Sequence, residues 1–185
     1  SPSRGLGDVY KRQMYRLFDP GHDAARDHFG GKLWPEDQDE VPVYNVSWFA
    51  SVMFAEWVGA RLPLEPEWEY ACQAGTTTRF WSGDTDEDLA RVGWIDQNSD
   101  GHPHSVAQLP ENAWGLHDVH GNVFEWCADV YGGNDYFIRA EGLTVDPWRL
   151  TFAVGAGPPK LAVTADRAAP RIVCGGSWDV KPVGA

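Results

Sequence analysis

The chain has little cysteine, little methionine and few basic side chains: three Cys and two Met among 185 residues, with 15 Lys and Arg against 27 Asp and Glu. Three scattered Cys build neither a disulfide framework nor a CxxC site, so Cys72, Cys127 and Cys174 are expected as buried thiols. The formal net charge of −12 opposes long-range attraction to nucleic acid or to an anionic membrane surface, and neither is expected as a partner. A neutral or basic partner fits better. No run approaches the roughly 18 apolar residues that a spanning helix needs, so no transmembrane helix is expected.

Aromatic residues are plentiful. Ten Trp, eight Phe and six Tyr supply much of the area that a single domain of this length can bury. Ser1 to Gln13 share no pattern with the rest of the chain and lack the apolar stretch of a signal peptide. They read as a non-native leader, with one domain from residue 14 to 185. Tyr15 to Glu40 is polar and Gly/Asp-rich with isolated aromatics, which predicts irregular structure.

From Val41 the texture is more regular. Ser47 is a fitting N-cap for a helix to about Val58, stopped by Gly59, and Phe49, Val52, Met53 and Trp57 form its expected inward face. A second helix is predicted from about Glu65 to Gln73, with Gly75 beyond it and Trp68, Ala71 and Cys72 inward; Glu65 and Glu67 oppose the positive end of its dipole. Thr76 to His104 reads as loops. Asp96, Asn98 and Asp100 carry the spaced oxygens of a calcium loop, but Ala107 stands where the bidentate Glu would fall, which leaves a solvated turn. His102, His104, His117 and His120 have no carboxylate or Cys at ligand spacing, so they are not read as a zinc or iron site.

The densest stretch is Pro110 to Tyr131. Leu116 and Val119 read as buried anchors, and Gly121-Asn122 as a position that needs positive φ. Val123, Phe124 and Trp126 then alternate with Glu125 and Cys127, which predicts a short, mostly buried strand with one acid turned inward. An unpaired carboxylate there would be costly. Glu125 is therefore expected either to tie loops together by hydrogen bonds or to join Asn122 and the adjacent Val123 carbonyl in holding a structural Ca²⁺. Pro170 to Trp178 predicts a final strand, and Phe152 to Ala169 a surface insertion.

The segment NAWGLHDVHGNVFEWCAD (Asn112 to Asp129) resembles the hallmark of the formylglycine-generating enzyme, or sulfatase-modifying factor, family. PVYNVSW from Pro42, RLPLEPEWEYACQAG from Arg61 and GGSW from Gly175 flank it in the right order. The resemblance runs from about Val41 to Trp178. It implies an α+β, C-type lectin-like fold with two short helices, short irregular antiparallel strands and much loop, and it places Val145-Asp146-Pro147 in a turn before the final strand. Members of that family include protein-modifying oxidases, sulfoxide synthases, domains fused to kinases and ligand-binding variable proteins, so fold alone does not fix function.

As an activity, the resemblance implies oxidation of a cysteine in a target peptide or sulfatase-type protein to formylglycine, using dioxygen and copper(I) on two cysteines beyond the GGS segment. Cys72, Cys127 and Cys174 do not occupy those positions. No catalytic residue is assigned, and the chain is expected to be incomplete at its C-terminus. Two departures stand out: Leu64 replaces a Thr cap, and Cys174 replaces a common Arg that would face an inward acid. The alternative is a non-catalytic module of the same fold that binds a ligand, calcium or a partner protein through its loops.

Overall fold

Ser47 caps the helix that begins at Trp48. Its side chain accepts a hydrogen bond from the Ala50 N–H at 3.2 Å, meeting one of the orphan donors of a helix start. In the computed structural model, which describes residues 12–22, 40–131 and 170–182, there are four helices and two strands among the described residues. They are α1 (Arg12–Phe18), α2 (Trp48–Trp57), α3 (Glu65–Gln73), α4 (Asp86–Ala90), β1 (Glu125–Val130) and β2 (Arg171–Cys174). The chain divides into two compact units, Ser1–Asp129 with Arg171–Ala185, and Val130–Pro170. The readings at Val145–Pro147 and Phe152–Ala169 lie outside the described residues.

The α2 helix ends within a residue of expectation, but its buried face is turned. Trp48, Ser51, Val52, Phe54 and Ala55 are buried, whereas Met53 and Trp57 are 60% and 51% exposed. Most residues of this helix are apolar, so more than one face satisfies the helical spacing. Tertiary bonds decide between them: the Trp48 indole donates to the Cys127 carbonyl at 2.8 Å, and Phe54 packs on Tyr15 and Phe18 of α1 at centroid distances of 5.2 and 5.7 Å. Tyr15 is 2% exposed. The segment from Tyr15, expected to be irregular, therefore starts as a helix that also includes Arg12 and Gln13, because Tyr15 and Phe18 fall on one face and cover Phe54.

Leu64 offers α3 no side-chain cap. Two acids act instead. Glu67 accepts from the Leu64 N–H at 2.8 Å and Asp129 of β1 accepts from the Glu65 N–H at 2.7 Å, both negative charges at the positive end of the helix. Within the stretch expected to be loops, Thr85 caps the five-residue α4 by accepting from the Asp88 N–H, and Leu89 anchors it in the core.

Strands β1 and β2 pair in a two-stranded sheet. The Tyr131 N–H donates to the Pro170 carbonyl while Cys127 lies against Cys174, a register in which the strands run antiparallel. Alternation along β1 turns Glu125, Cys127 and Asp129 to one side. Phe124, expected to be buried, is 49% exposed and lies just before the strand begins at Glu125.

Candidate functional site

The loops around Gly121-Asn122 meet at the start of β1. Gly121 pairs in parallel with Trp94 and takes φ +88°; a Cβ there would lie 2.1 Å from the Trp94 carbonyl oxygen. Only glycine fits such an approach. Its N–H donates to the Gly175 carbonyl at 2.6 Å.

Asn122 comes next, with φ 60°, and is 1% exposed. Its N–H donates to the Trp94 carbonyl and its own carbonyl accepts from the Trp178 N–H. Its side chain grips the His104 backbone at both ends: Oδ1 accepts from the N–H at 3.0 Å and Nδ2 donates to the carbonyl at 3.1 Å. Three distant chain segments are thereby fixed by one residue.

Glu125 points from β1 toward α3, where the Trp68 indole donates to Oε2 at 2.7 Å. Burial pushes this carboxyl above its ordinary range; the Trp68 bond opposes that shift and the charge of Asp118 adds to it. Asp118 is the second acid of the site. Its Oδ2 accepts from the Ala107 N–H at 2.8 Å, but Oδ1 is buried without a partner. Burial raises the Asp118 carboxyl as well, against the Ala107 bond and the nearby imidazoles of His117 and His104. The charge of Asp118 disfavours that of Glu125, and Asp118 keeps one buried oxygen without a partner.

A calcium set here can be tested against these bonds. Glu125 has one oxygen committed to Trp68, and the Val123 carbonyl lies close to Gly175. The Asn122 amide oxygen is already bonded to His104 but keeps a second lone pair. Hard oxygen donors of this kind suit Ca²⁺, and the partnerless Asp118 oxygen adds one that no sequence motif signals. Among the described residues no three His, Cys, Asp or Glu side chains gather to hold a metal. An ion would depend on amide and backbone oxygens.

Cys72 and Cys127 are held as neutral thiols, which does not suit copper(I). Burial, with Glu125, Cys174 and Glu69 adding to it, pushes the Cys72 thiol up to about 12. Cys127 is raised by its bond to Cys174 and by burial. Soft-metal binding and nucleophilic attack both need thiolate. Cys72 lies 3.8 Å from both ring nitrogens of His120, yet burial pulls that imidazole down to about 4. Its Nε2 accepts from the Trp81 N–H at 3.3 Å, the role of a neutral ring. The pair is a neutral thiol beside a neutral imidazole, without an activated nucleophile.

The other imidazoles meet backbone carbonyls: His104 that of Ser99 at 2.8 Å, His117 that of Leu109 at 2.8 Å and His102 that of Pro103 at 3.0 Å. His104 also stacks on Trp94 with centroids 3.8 Å apart. In the Asp96 to Asp100 turn, Asn98 Oδ1 accepts from the Ile95 N–H and its amide nitrogen donates to the Ala90 and Gly93 carbonyls. Asn98 thus braces a turn while Asp96 and Asp100 are exposed.

The sulfatase-modifying factor enzyme 1-like domain is matched over residues 10–184. The serine/threonine-protein kinase pkn1 of Chlamydia caviae is 36% identical over 135 residues, 72% of this chain and 21% of the kinase. A formylglycine-generating enzyme of Mycobacterium tuberculosis is 31% identical over 193 residues, 95% of this chain and 58% of the enzyme. The chain thus spans less than two thirds of the length of either relative. Among solved structures, Treponema denticola variable protein 1 superposes with a TM-score of 0.62 at 21% identity, covering 92% of this chain and 71% of that one, a likeness of fold alone.

Proposed function

The chain belongs to the sulfatase-modifying factor enzyme 1-like domain family, and from that premise we propose that it is the framework of a formylglycine-generating oxidase domain with a C-type lectin-like fold. Such a domain engages an extended peptide of a target protein, sulfatase-type by family, and oxidises a cysteine of that peptide to formylglycine with dioxygen. The observation that carries the reading is the Trp68–Glu125 joint at 2.7 Å. It locks the EWEY helix to the NVFEW strand, so two of the segments that resemble the family meet in one contact. Copper(I), which the family uses, would supply the oxygen chemistry when bound. The raised thiols of Cys72 and Cys127 leave its ligation to other residues.

Within this reading Asn122, Val123 and Glu125, with Asp118 beside them, hold a structural Ca²⁺ that offsets the mutual repulsion of the two carboxylates. Asn122 and Gly121 keep the loops in register whether or not the ion is present. A second reading, a non-catalytic module that binds a partner through the same loops, is favoured by the chain's likeness to a segment of a kinase. Incubation of the protein with copper, dioxygen, a thiol reductant and a cysteine-containing peptide, followed by aldehyde capture, separates the two. Aldehyde formation supports the oxidase. Peptide binding without aldehyde supports the module.

A further inference from the structure

Cys127 and Cys174 face each other across the two-stranded sheet, 47 positions apart in sequence, with the Cys127 thiol donating to the Cys174 sulfur at 3.5 Å. Both are free thiols. Cys127 is 0% exposed, while Cys174 is partly accessible. Facing positions on antiparallel strands have Cα atoms roughly 4.5–5.5 Å apart, inside the range a disulfide spans. The sulfurs need to close by only about 1.5 Å to bond.

We infer that Cys127 and Cys174 form a thiol–disulfide exchange site that takes a small-molecule disulfide and closes into a cross-strand bond. The inference rests on sheet register and accessibility, not on the proposed oxidase activity. Cys174, the accessible member, attacks one sulfur of the small disulfide as thiolate, releasing one thiol and leaving a mixed disulfide. Cys127 then gives up its proton and attacks the Cys174 sulfur, releasing the second thiol. Two protein thiols are oxidised and one external disulfide is reduced to two thiols, so two electrons leave the protein.

Cys127 is 0% exposed, so an external disulfide meets Cys174 first and Cys127 acts only across the sheet. The new bond closes a long loop that contains the whole Val130–Pro170 unit. Cross-links over long loops constrain the unfolded chain most. Reduction reopens the loop, so the sheet is braced under oxidising conditions and relaxed under reducing ones. The Cys72 sulfur lies against His120 and the Val119 carbonyl, whereas the sulfur–sulfur contact is between Cys127 and Cys174.

The test is to equilibrate the full chain with oxidised glutathione at mildly alkaline pH, trap free thiols by alkylation, and map the peptides by mass spectrometry. The expected result is a Cys127 peptide joined to a Cys174 peptide with Cys72 alkylated. The melting midpoint should rise by about 5–15 °C and return on adding dithiothreitol. A Cys72→Ser variant should behave the same way. Three alkylated cysteines, glutathione retained on Cys174 beside an alkylated Cys127, or a bond that includes Cys72 would overturn the site. Joined peptides with an unchanged midpoint would overturn the bracing. The wild-type chain is enough for this reading, so the outcome does not depend on whether a Cys127 variant folds.

Discussion

Asn122 and the pair Asp118 and Glu125 lie within a few residues of one another and are treated in opposite ways by the fold. Every polar group of Asn122 is paired, with Trp94, Trp178 and both ends of the His104 peptide. The two acids are left short. Glu125 has a single indole donor, and Asp118 keeps one buried oxygen without a partner. A fully satisfied buried network rigidifies, whereas a partly satisfied one is costly unless something else completes it. The contrast gives Asn122 the register of the loops and leaves the two acids with fewer donors than they can accept.

The strongest way to break this contrast is to loosen the satisfied half. Gly121→Ala sets a methyl 2.1 Å from the Trp94 carbonyl oxygen at φ +88°, so neither rotation nor a flexible neighbour relieves the clash. A loss on the order of 4 kcal/mol or more is expected, read by urea denaturation or, if the loss exceeds the total stability, by failure to recover folded protein.

His120 gives the next largest effect. Its folded pKa is depressed to about 4 by burial, against roughly 6.5 in an unfolded chain. The unfolded state therefore binds more protons, and the stability from neutral His120 is present above about pH 6.5 and lost as pH falls toward about 4. The loss is about 3 kcal/mol across that window. Denaturant midpoints measured from pH 7 to 4 should fall more steeply in the wild type than in His120→Asn; parallel curves would remove the effect.

Trp68→Phe is smaller and sharpens the other half. It withdraws the one indole donor from Glu125, leaving a buried carboxylate oxygen bare at a cost of about 1–3 kcal/mol. Because the folded carboxyl already sits above its unfolded value, its contribution is most favourable at low pH and declines as pH rises through the unfolded value toward the folded one. The Trp68 variant, with its carboxyl raised further, should therefore lose more at pH 7 than at pH 5. Equal losses at both would mean that Trp68 acts by packing alone.

The positions were legible in the residues but the contrast was not, since Asn122 was expected to share a partner with Glu125 and instead bonds His104 while Glu125 bonds Trp68. Ser47 and Gly59 bracket α2, and Gly75 lies just past α3, because caps and left-handed stops are local chemistry. The positive φ at Asn122 is local in the same sense. The inward turn of Glu125 was legible from its apolar neighbours, although Phe124 proved exposed. The face of α2 was not, since a helix of WFASVMFAEW fits several faces and the choice rests on Tyr15 and Cys127, far away in sequence. Helices of seven and five residues, α1 and α4, are too short to show a period. Asp118 was missed because an isolated acid between two His gives no sign of burial. Trp68 was expected to turn inward, but its partner lies 57 positions away.

The most direct measurement compares thermal midpoints in calcium and in chelator for the wild type and for Glu125→Gln, which keeps an oxygen for Trp68 and removes the charge. A ligand that binds only the folded state raises its midpoint by mass action. The account predicts that calcium raises the wild-type midpoint by several degrees and leaves the Glu125→Gln midpoint unmoved, with the variant at least as stable as the wild type in chelator. Identical midpoints in calcium and chelator for the wild type would contradict it, and would reduce Glu125 to a hydrogen-bonded strut beneath Trp68.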